Sequence, residues 1–343
     1  MIKFGIDKQT LLDLNIFPQA NGDFSVFEYY NHTQTKGGKE ALEEMMRMPL
    51  NNRNEIEARI SIIRYITEQH ITVNVDKEHL AFVEHYLGLN IPVLKNKPFG
   101  TISLNISNKI RPNNDIYIIS KGLEYLKIHL GILTDFLSKF SSENAPSIFI
   151  QLKNELVELN KIPEFAHFLK SKGQHFSIGD LIRYDPLIRK NQKENIKRIL
   201  ELTYFLDAYI SIARTAEKNK LGFPVILESE KPIVKIKDVF HPFIKNPVPN
   251  DVTSIDNKNL CFVTGANMAG KSTFLKSIGL CIYLSHLGFP VPANAMETAV
   301  FNGLYTTINI SDNINQGYSH YYSEVKRVKE IALMLKEKAF CNF

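Results

Sequence analysis

At 343 residues with 44% hydrophobic side chains, the chain holds material for about two domains with sizeable cores. Its formal charge of +5, from 41 Lys+Arg against 36 Asp+Glu, permits contact with nucleic acid but does not argue for it, because a nucleic-acid-binding domain concentrates its charge on one face. The three cysteines, Cys261, Cys281 and Cys341, are odd in number, far apart and without a Cys-x-x-Cys, so neither a zinc site nor a disulfide framework is indicated. No uncharged apolar stretch reaches about 18 residues, and MIKFGIDKQTLLDLN has no long apolar core. No membrane span, no signal peptide and a reducing, cytoplasmic location are therefore expected.

Residues 1 to about 225 read as mostly helical. GKEALEEMMRM, from Gly38 to Met48, is rich in helix formers and stops at Pro49. The next helix, Asn54 to Glu68, carries Ile56, Ile60, Ile63 and Ile66 at helical spacing. A long helix is predicted over 115–140, where Ile119, Leu123, Leu126, Leu130, Leu133 and Leu137 make one apolar stripe, with Asn114 or Asp115 as N-cap. A second runs over about 191–220, with Ile196, Ile199, Leu206, Ile210 and Ala213 on one side, and stops at Gly222 and Pro224. Both stripes read as packing between antiparallel helices, joined by polar loops at 141–147 and 171–177. This texture suggests a lever-like helical domain.

The pattern changes near 224. Val234 and Ile236 alternate with Lys235 and Lys237, which is the period of a strand with one solvated face. NPVPND (246–251) is turn-forming. Leu260 to Val263 reads as a short buried strand, and Cys261 and Cys281 as small core residues. The domain boundary is placed at 222–228, giving domains 1–224 and 225–343.

TGANMAGKST (264–273) follows the predicted strand and opens a helix-like segment with apolar Phe274, Leu275, Ile278 and Ile282. Gly265, Gly270, Lys271 and Ser272 match the G-x-x-x-x-G-K-[ST] phosphate loop. The glycines let the backbone curl so that N–H groups face phosphate oxygens, and the helix N-terminus adds partial positive charge. Lys271 would reach the β and γ phosphates of ATP, the Ser272 hydroxyl would hold Mg2+, and Thr273 is a further candidate for phosphate contact.

The wording around the loop resembles that of the MutS mismatch-repair ATPases. TGANMAGKSTFLKSIGL is similar to their TGPNMGGKST: Asn267 and Met268 match, while Ala266 and Ala269 replace Pro and Gly. FPVPANA (289–295) resembles the family's FVPA stretch. INISDNINQGYSHYYSEV (308–325) resembles IGASDDLAGGRSTFMVEM, with Ser311, Asp312, Gly317, Ser319 and Glu324 on matching positions and Tyr321 in place of Phe. HPFIKNPVPND is similar to the segment that flanks the adenine, which makes Phe243 and Ile244 candidates to sandwich the base. NHTQTKGGKEALEEMMRMPL resembles the opening of the family's core domain, and FLDAYISIARTAEKNKLGFPVI the return helix of its lever.

The resemblance implies a multidomain α and α/β chain. A helical core/lever domain (1–224), its clamp short or absent, is followed by an incomplete P-loop (ABC-type) ATPase domain (225–343). It also implies ATP and Mg2+ as cofactors and a homodimer in the full-length protein, with Ser319 of one subunit facing the γ-phosphate held at Lys271 of the other. DNA would be the partner and no membrane is involved. The pattern departs from the family in three places. Only about 20 residues precede the core, too few for the mismatch reader, and Phe82-Val83-Glu84 is read as a chance match inside a helix. The space for the DNA clamp is confined to 141–190, so DNA binding by the family's route is doubtful. KEKAFCNF stands where an apolar strand ending in Asp-Glu should begin, so hydrolysis is expected to be impaired.

The alternative is a non-enzymatic scaffold or interaction module whose cradle is vestigial. A small-molecule P-loop kinase is disfavoured, since no arginine-rich lid follows the cradle. His241 reads as a turn residue or a contact near the base, and His320 as an exposed loop residue or a phosphate neighbour. Lys326, Arg327 and Lys329 read as a solvated helix face.

Overall fold

The apolar spacings above become helices at nearly the predicted limits. The structure is a computed structural model that describes residues 4–20, 23–94, 114–141, 145–171, 175–255, 258, 260–308, 320–337 and 341–342, without the side chains of 320–324, 334–337 and 341–342. In chain order the elements are α1 (Lys8–Asp13), α2 (Val26–Tyr30), α3 (Lys36–Arg47), α4 (Arg53–Glu68), α5 (Lys77–Leu87), α6 (Asn114–Ser138), α7 (Ser147–Asn160), α8 (Pro163–Lys170) and α9 (Ile178–Pro186). A π-helical turn (Leu187–Asn191) leads to α10 (Lys193–Asn219), β1 (Pro224–Ile226), β2 (Val234–Val239) and β3 (Asn250–Ser254). Then come α11 (Lys271–His286), β4 (Ala295–Thr298), β5 (Leu304–Tyr305), α12 (His320–Glu337) and β6 (Cys341–Asn342). The fold is helix-rich with a small sheet.

By contacts the chain divides into two units. A helical unit comprises Thr33–Ala41 and Thr72–Ala208, and a sheet-bearing unit comprises Met1–His32, Leu42–Ile71 and Tyr209–Phe343. Residues 1–32, 42–71 and 209–224 thus group with 225–343.

In the helical unit the predicted stripe of α6 is the core: Ile119, Leu123, Leu126, Leu130 and Leu133 are fully buried and Leu137 nearly so. Gly122 sits where α5 crosses α6, and a Cβ there would lie 2.3 Å from the Tyr86 ring. Between α6 and α10, residues 147–191 fold into α7, α8, α9 and the π turn. Asp207, buried on α10, accepts from the backbone N–H groups of Gln34 and Thr35 and from the Thr35 hydroxyl (2.7 Å). Thr35 Oγ1 in turn accepts from Gly38 N. A Cβ on Gly38 would meet the Asp207 carboxylate at 2.2 Å, and one on Gly37 the Tyr204 ring at 2.5 Å. The Thr-x-Gly-Gly opening of α3 is therefore a close-approach site capped from another helix. Val83 is buried within α5 and Glu84 accepts from the Tyr204 hydroxyl, so Phe82-Val83-Glu84 is an ordinary helical segment.

The sheet of the other unit has the order β1-β4-β2-β3. β1 runs parallel to β4, and β2 runs antiparallel to both β3 and β4. Val234 and Ile236 face the core while Lys235 and Lys237 face water, as the period-2 pattern predicts, and Val239 is buried beyond a register shift that breaks the alternation. Gly222 bridges the backbone at Val291 and Ala293, and a Cβ there would lie 2.5 Å from the Ala293 carbonyl oxygen. The second half of α11, Ser277 to His286, is buried all round. A helix with no solvated face belongs in a core.

The expected strand at Leu260–Val263 is not there. The segment has no strand hydrogen bonding among the described residues, Leu260 and Phe262 are 77% and 84% exposed, and Cys261 is exposed too. A buried strand needs a ladder partner for its N–H and C=O groups, and no described strand pairs with this one. Apolar composition alone did not decide the matter. Cys281, by contrast, is fully buried.

Two buried histidines make both units acid-sensitive. His286 lies between Leu50 O (2.7 Å, from Nδ1) and Phe301 N–H (3.2 Å, to Nε2), so the neutral Nδ1–H tautomer satisfies both sides. Burial lowers its pKa to about 4, and burial with the nearby charge of His79 does the same to His129 beside Thr203. Folded values below the unfolded one mean that the unfolded state binds more protons between the two. Stability is therefore complete above pH 6.5 and falls as pH drops toward 4, by about 2–3 kcal/mol per histidine. Urea midpoints measured from pH 7.5 to 4.5 should fall accordingly, and His286→Gln should flatten the loss in the sheet-bearing unit.

Candidate phosphate-loop site

Residues 264–270 curl rather than extend. Ala269 N donates to Ala266 O (3.2 Å), and Met268 and Gly270 are left-handed, with φ of 65° and 90°. The methyl of Ala269 falls outside these left-handed positions, so its replacement of the family's glycine carries no backbone penalty. Gly270 is the N-cap of α11 and offers no side chain, and the first turn holds no acidic residue. Phe274 N returns to Gly270 O (2.9 Å). The preceding amides, of Lys271, Ser272 and Thr273, stand at the positive end of a helix dipole with no side-chain cap. Lys271 Nζ folds back over the loop and donates to Gly265 O and Ala266 O, both at 2.8 Å. Ser272 is exposed at the mouth and Asn267 is exposed on the turn.

The donor set fits an anion: uncapped amides, a cation and no carboxylate in the turn. Gly265, Asn267, Gly270, Lys271, Ser272 and Thr273 are thus brought into one loop and helix start. Among the described residues no group of three His, Cys, Asp or Glu could hold a metal.

Phe243 and Ile244 lie in the turn after β2. Phe243 is half-buried in an aromatic group, 4.8 Å from Phe24 edge to face, 5.3 Å from His241 and 6.1 Å from Tyr29, while Ile244 is 44% exposed. Burial, then the charge of Lys276 on α11, lowers the His241 pKa. Ser319, with Ser311, Asp312 and Gly317, lies outside the described residues, as do the side chains of His320 and Glu324.

Arg327 departs from the solvated face predicted for it. Lys326 and Lys329 are exposed, but Arg327 is half-buried and paired with Asp7. Sequence reading missed this because the partner stands 320 positions away with no local signature.

A family model described as MutS domain V matches residues 261–341, a span that takes in the loop, α11 and α12. The chain is also similar over nearly all its length to DNA mismatch repair proteins MutS. It is 21% identical to the one from Petrotoga mobilis over 95% of this chain and 50% of the relative, and 23% identical to the one from Fervidobacterium nodosum over 97% and 50%. These matches make the chain similar to the MutS family. The MutS of Parabacteroides distasonis is 34% identical across 40% of this chain and 17% of its own length. The chain spans about half the length of the curated MutS relatives that it matches end to end. Among the described residues no helix is long and apolar enough to cross a membrane.

Proposed function

We propose that this MutS-like chain binds ATP with Mg2+ at residues 265–273 and serves mismatch repair by coupling that binding to DNA through its long helices. The observation that carries the reading is the curled loop with Lys271 drawn across it in front of an uncapped helix N-terminus. The backbone amides of Lys271, Ser272 and Thr273 would hold phosphate oxygens, and Lys271 would exchange its two carbonyl contacts for them. The Ser272 hydroxyl would hold Mg2+, whose chemistry is to neutralise phosphate charge. Phe243 and Ile244 would flank the adenine. In a homodimer of the full-length protein, Ser319 would act on the nucleotide of the partner subunit.

The domain division at 224, an ABC-type nucleotide domain with a short or absent clamp, and a cytoplasmic location belong to the same reading. The 343 residues contain no Asp-Glu dipeptide to hold metal and polarise water, so this polypeptide binds nucleotide weakly and turns it over negligibly.

Calorimetric titration of the 343-residue chain with ATP and Mg2+ should give a saturable heat that weakens without Mg2+, and Ser272→Ala should remove the Mg2+ dependence. No heat under any condition would favour a scaffold with a vestigial loop. Steady turnover at the rate of a complete ATPase would overturn the second half of the proposal.

A further inference from the structure

The N-terminal arm, residues 4–16, precedes the motifs whose wording resembles the family, and it is anchored in the sheet-bearing unit. Phe4, Leu14 and Ile16 are at most 6% exposed, and Thr10 and Asp13 are buried polar residues. The arm touches α11 twice. Phe4 packs on the His286 ring at 4.4 Å, and Leu14 lies where a Cβ on Gly279 would stand 3.0 Å from it. The arm also extends the edge of β5: Gly5 N donates to Asn302 O (2.7 Å) and Leu304 N to Gly5 O (2.8 Å). Polar side chains then hold the segment that follows β5. Thr306 N donates to Thr10 Oγ1 (3.0 Å), and Thr306 Oγ1 and Ile308 N both donate to Asp13 Oδ2, at 2.7 and 3.0 Å. Finally, Asp7 ion-pairs with Nη1 of Arg327 on α12, whose Nη2 donates to Thr306 O (3.2 Å). Burial pushes the Asp7 carboxyl up, but the hydrogen bonds from Arg327 and the Thr10 N–H outweigh it and hold its pKa below the ordinary value.

We propose that the arm is a built-in positioning clamp, in which Asp13 and Asp7 fix residues 304–308 and α12 against the helix that follows the phosphate loop. Each contact of the arm reaches one of three pieces, α11, the β5 segment or α12, so the arm ties them to one another, and the Arg327 contact with Thr306 O joins α12 to the β5 segment directly. Breaking a buried carboxylate's bonds to a hydroxyl and a backbone amide leaves polar groups unsatisfied inside the protein. The contacts of Asp13 and Asp7 given above lie on the β5 segment and α12 and not on the phosphate loop, so the proposed role is one of position. That the clamp tunes nucleotide binding rests on the proposed function. That it ties α12 to α11 does not.

The two parts separate in one experiment on the full chain. Hydrogen exchange and ATP·Mg2+ titration are compared for wild type, Asp13→Ala, Asp13→Asn and Arg327→Gln. Asp13→Asn keeps an acceptor for Thr306 and Ile308, and Gln9, which donates to the other carboxylate oxygen, can turn its amide to meet the new NH2. Exchange should rise about tenfold or more at Ile308 in Asp13→Ala, and across 320–331 in both Asp13→Ala and Arg327→Gln, with Asp13→Asn close to wild type. ATP affinity should fall several-fold in the same two variants. A merely local role for Asp13 predicts faster exchange at Ile308 with α12 unchanged, and that result overturns the clamp. Should Asp13→Ala fail to fold, Arg327→Gln decides alone by the same α12 readout. If wild type gives no response to ATP, the nucleotide reading fails, and exchange across α12 still passes judgement on the clamp.

Discussion

Lys271→Ala should give a folded chain without the proposed response to ATP. The Nζ group now makes two hydrogen bonds, both to carbonyls of its own exposed loop, so removing it should change the melting temperature little. Its contribution to binding is of another size. A charge-assisted contact to phosphate is worth roughly 1.5–3 kcal/mol, a loss of about 10- to 100-fold in affinity, and more where several oxygens share the cation. Lys271→Arg keeps the charge but replaces a compact ammonium with a planar fork that cannot sit over two adjacent carbonyls in the same way, so it should restore only part of the heat. Calorimetry and a thermal melt on the same samples check both halves. Full binding by Lys271→Ala would show that the loop holds phosphate, if at all, without the cation drawn across it.

Arg189→Ala should destabilise the helical unit more than any surface change. Arg189 and Asp185, at 7% and 0% exposure, form a bidentate pair across the change from α9 to the π turn, with Nε to Oδ1 at 2.5 Å and Nη2 to Oδ2 at 2.7 Å. The remaining lone pairs of Asp185 accept from the Tyr86 hydroxyl (3.1 Å) and Leu94 N (2.9 Å). Arg189 also donates to Ile91 O (2.9 Å) and Pro92 O. Removing the cation leaves a buried carboxylate without its counter-charge, at a cost of about 3–5 kcal/mol. Asp185→Ala strands the guanidinium in the same way. The double change Asp185→Leu with Arg189→Met removes both charges and should cost less than the sum of the single changes by several kcal/mol. Urea unfolding of the four proteins closes this cycle, and simple additivity would mean that the pair does not act as a unit.

What the sequence made legible is what is written in periods and contiguous motifs. The stripes of α6 and α10 and the alternation of β2 each lie within one element, so spacing alone fixes the buried face. The phosphate loop was legible because its residues are neighbours in the chain. Contacts across the chain were not. Asp185 and Arg189 could be read as an exposed i,i+4 pair, and only Tyr86, Ile91 and Leu94, about 90 to 100 positions earlier, make them a buried one. Arg327 looked like one of three solvated cations until Asp7 was found beside it. The glycines of Thr35-Lys36-Gly37-Gly38 matched a family pattern, but their reason, the approach of Asp207 and Tyr204, lies on another helix. Leu260–Val263 failed in the opposite direction: its apolar letters promised burial, and burial depends on a neighbour that letters do not supply.

That last segment has a consequence inside a cell. Leu260 and Phe262 hold their side chains in water on a backbone that belongs to no described strand or helix. To a chaperone or a protease such a run is indistinguishable from a stretch of unfolded polypeptide, whatever the state of the rest of the molecule. A partner that laid a strand along Leu260–Phe262 would then act first as a shield from quality control.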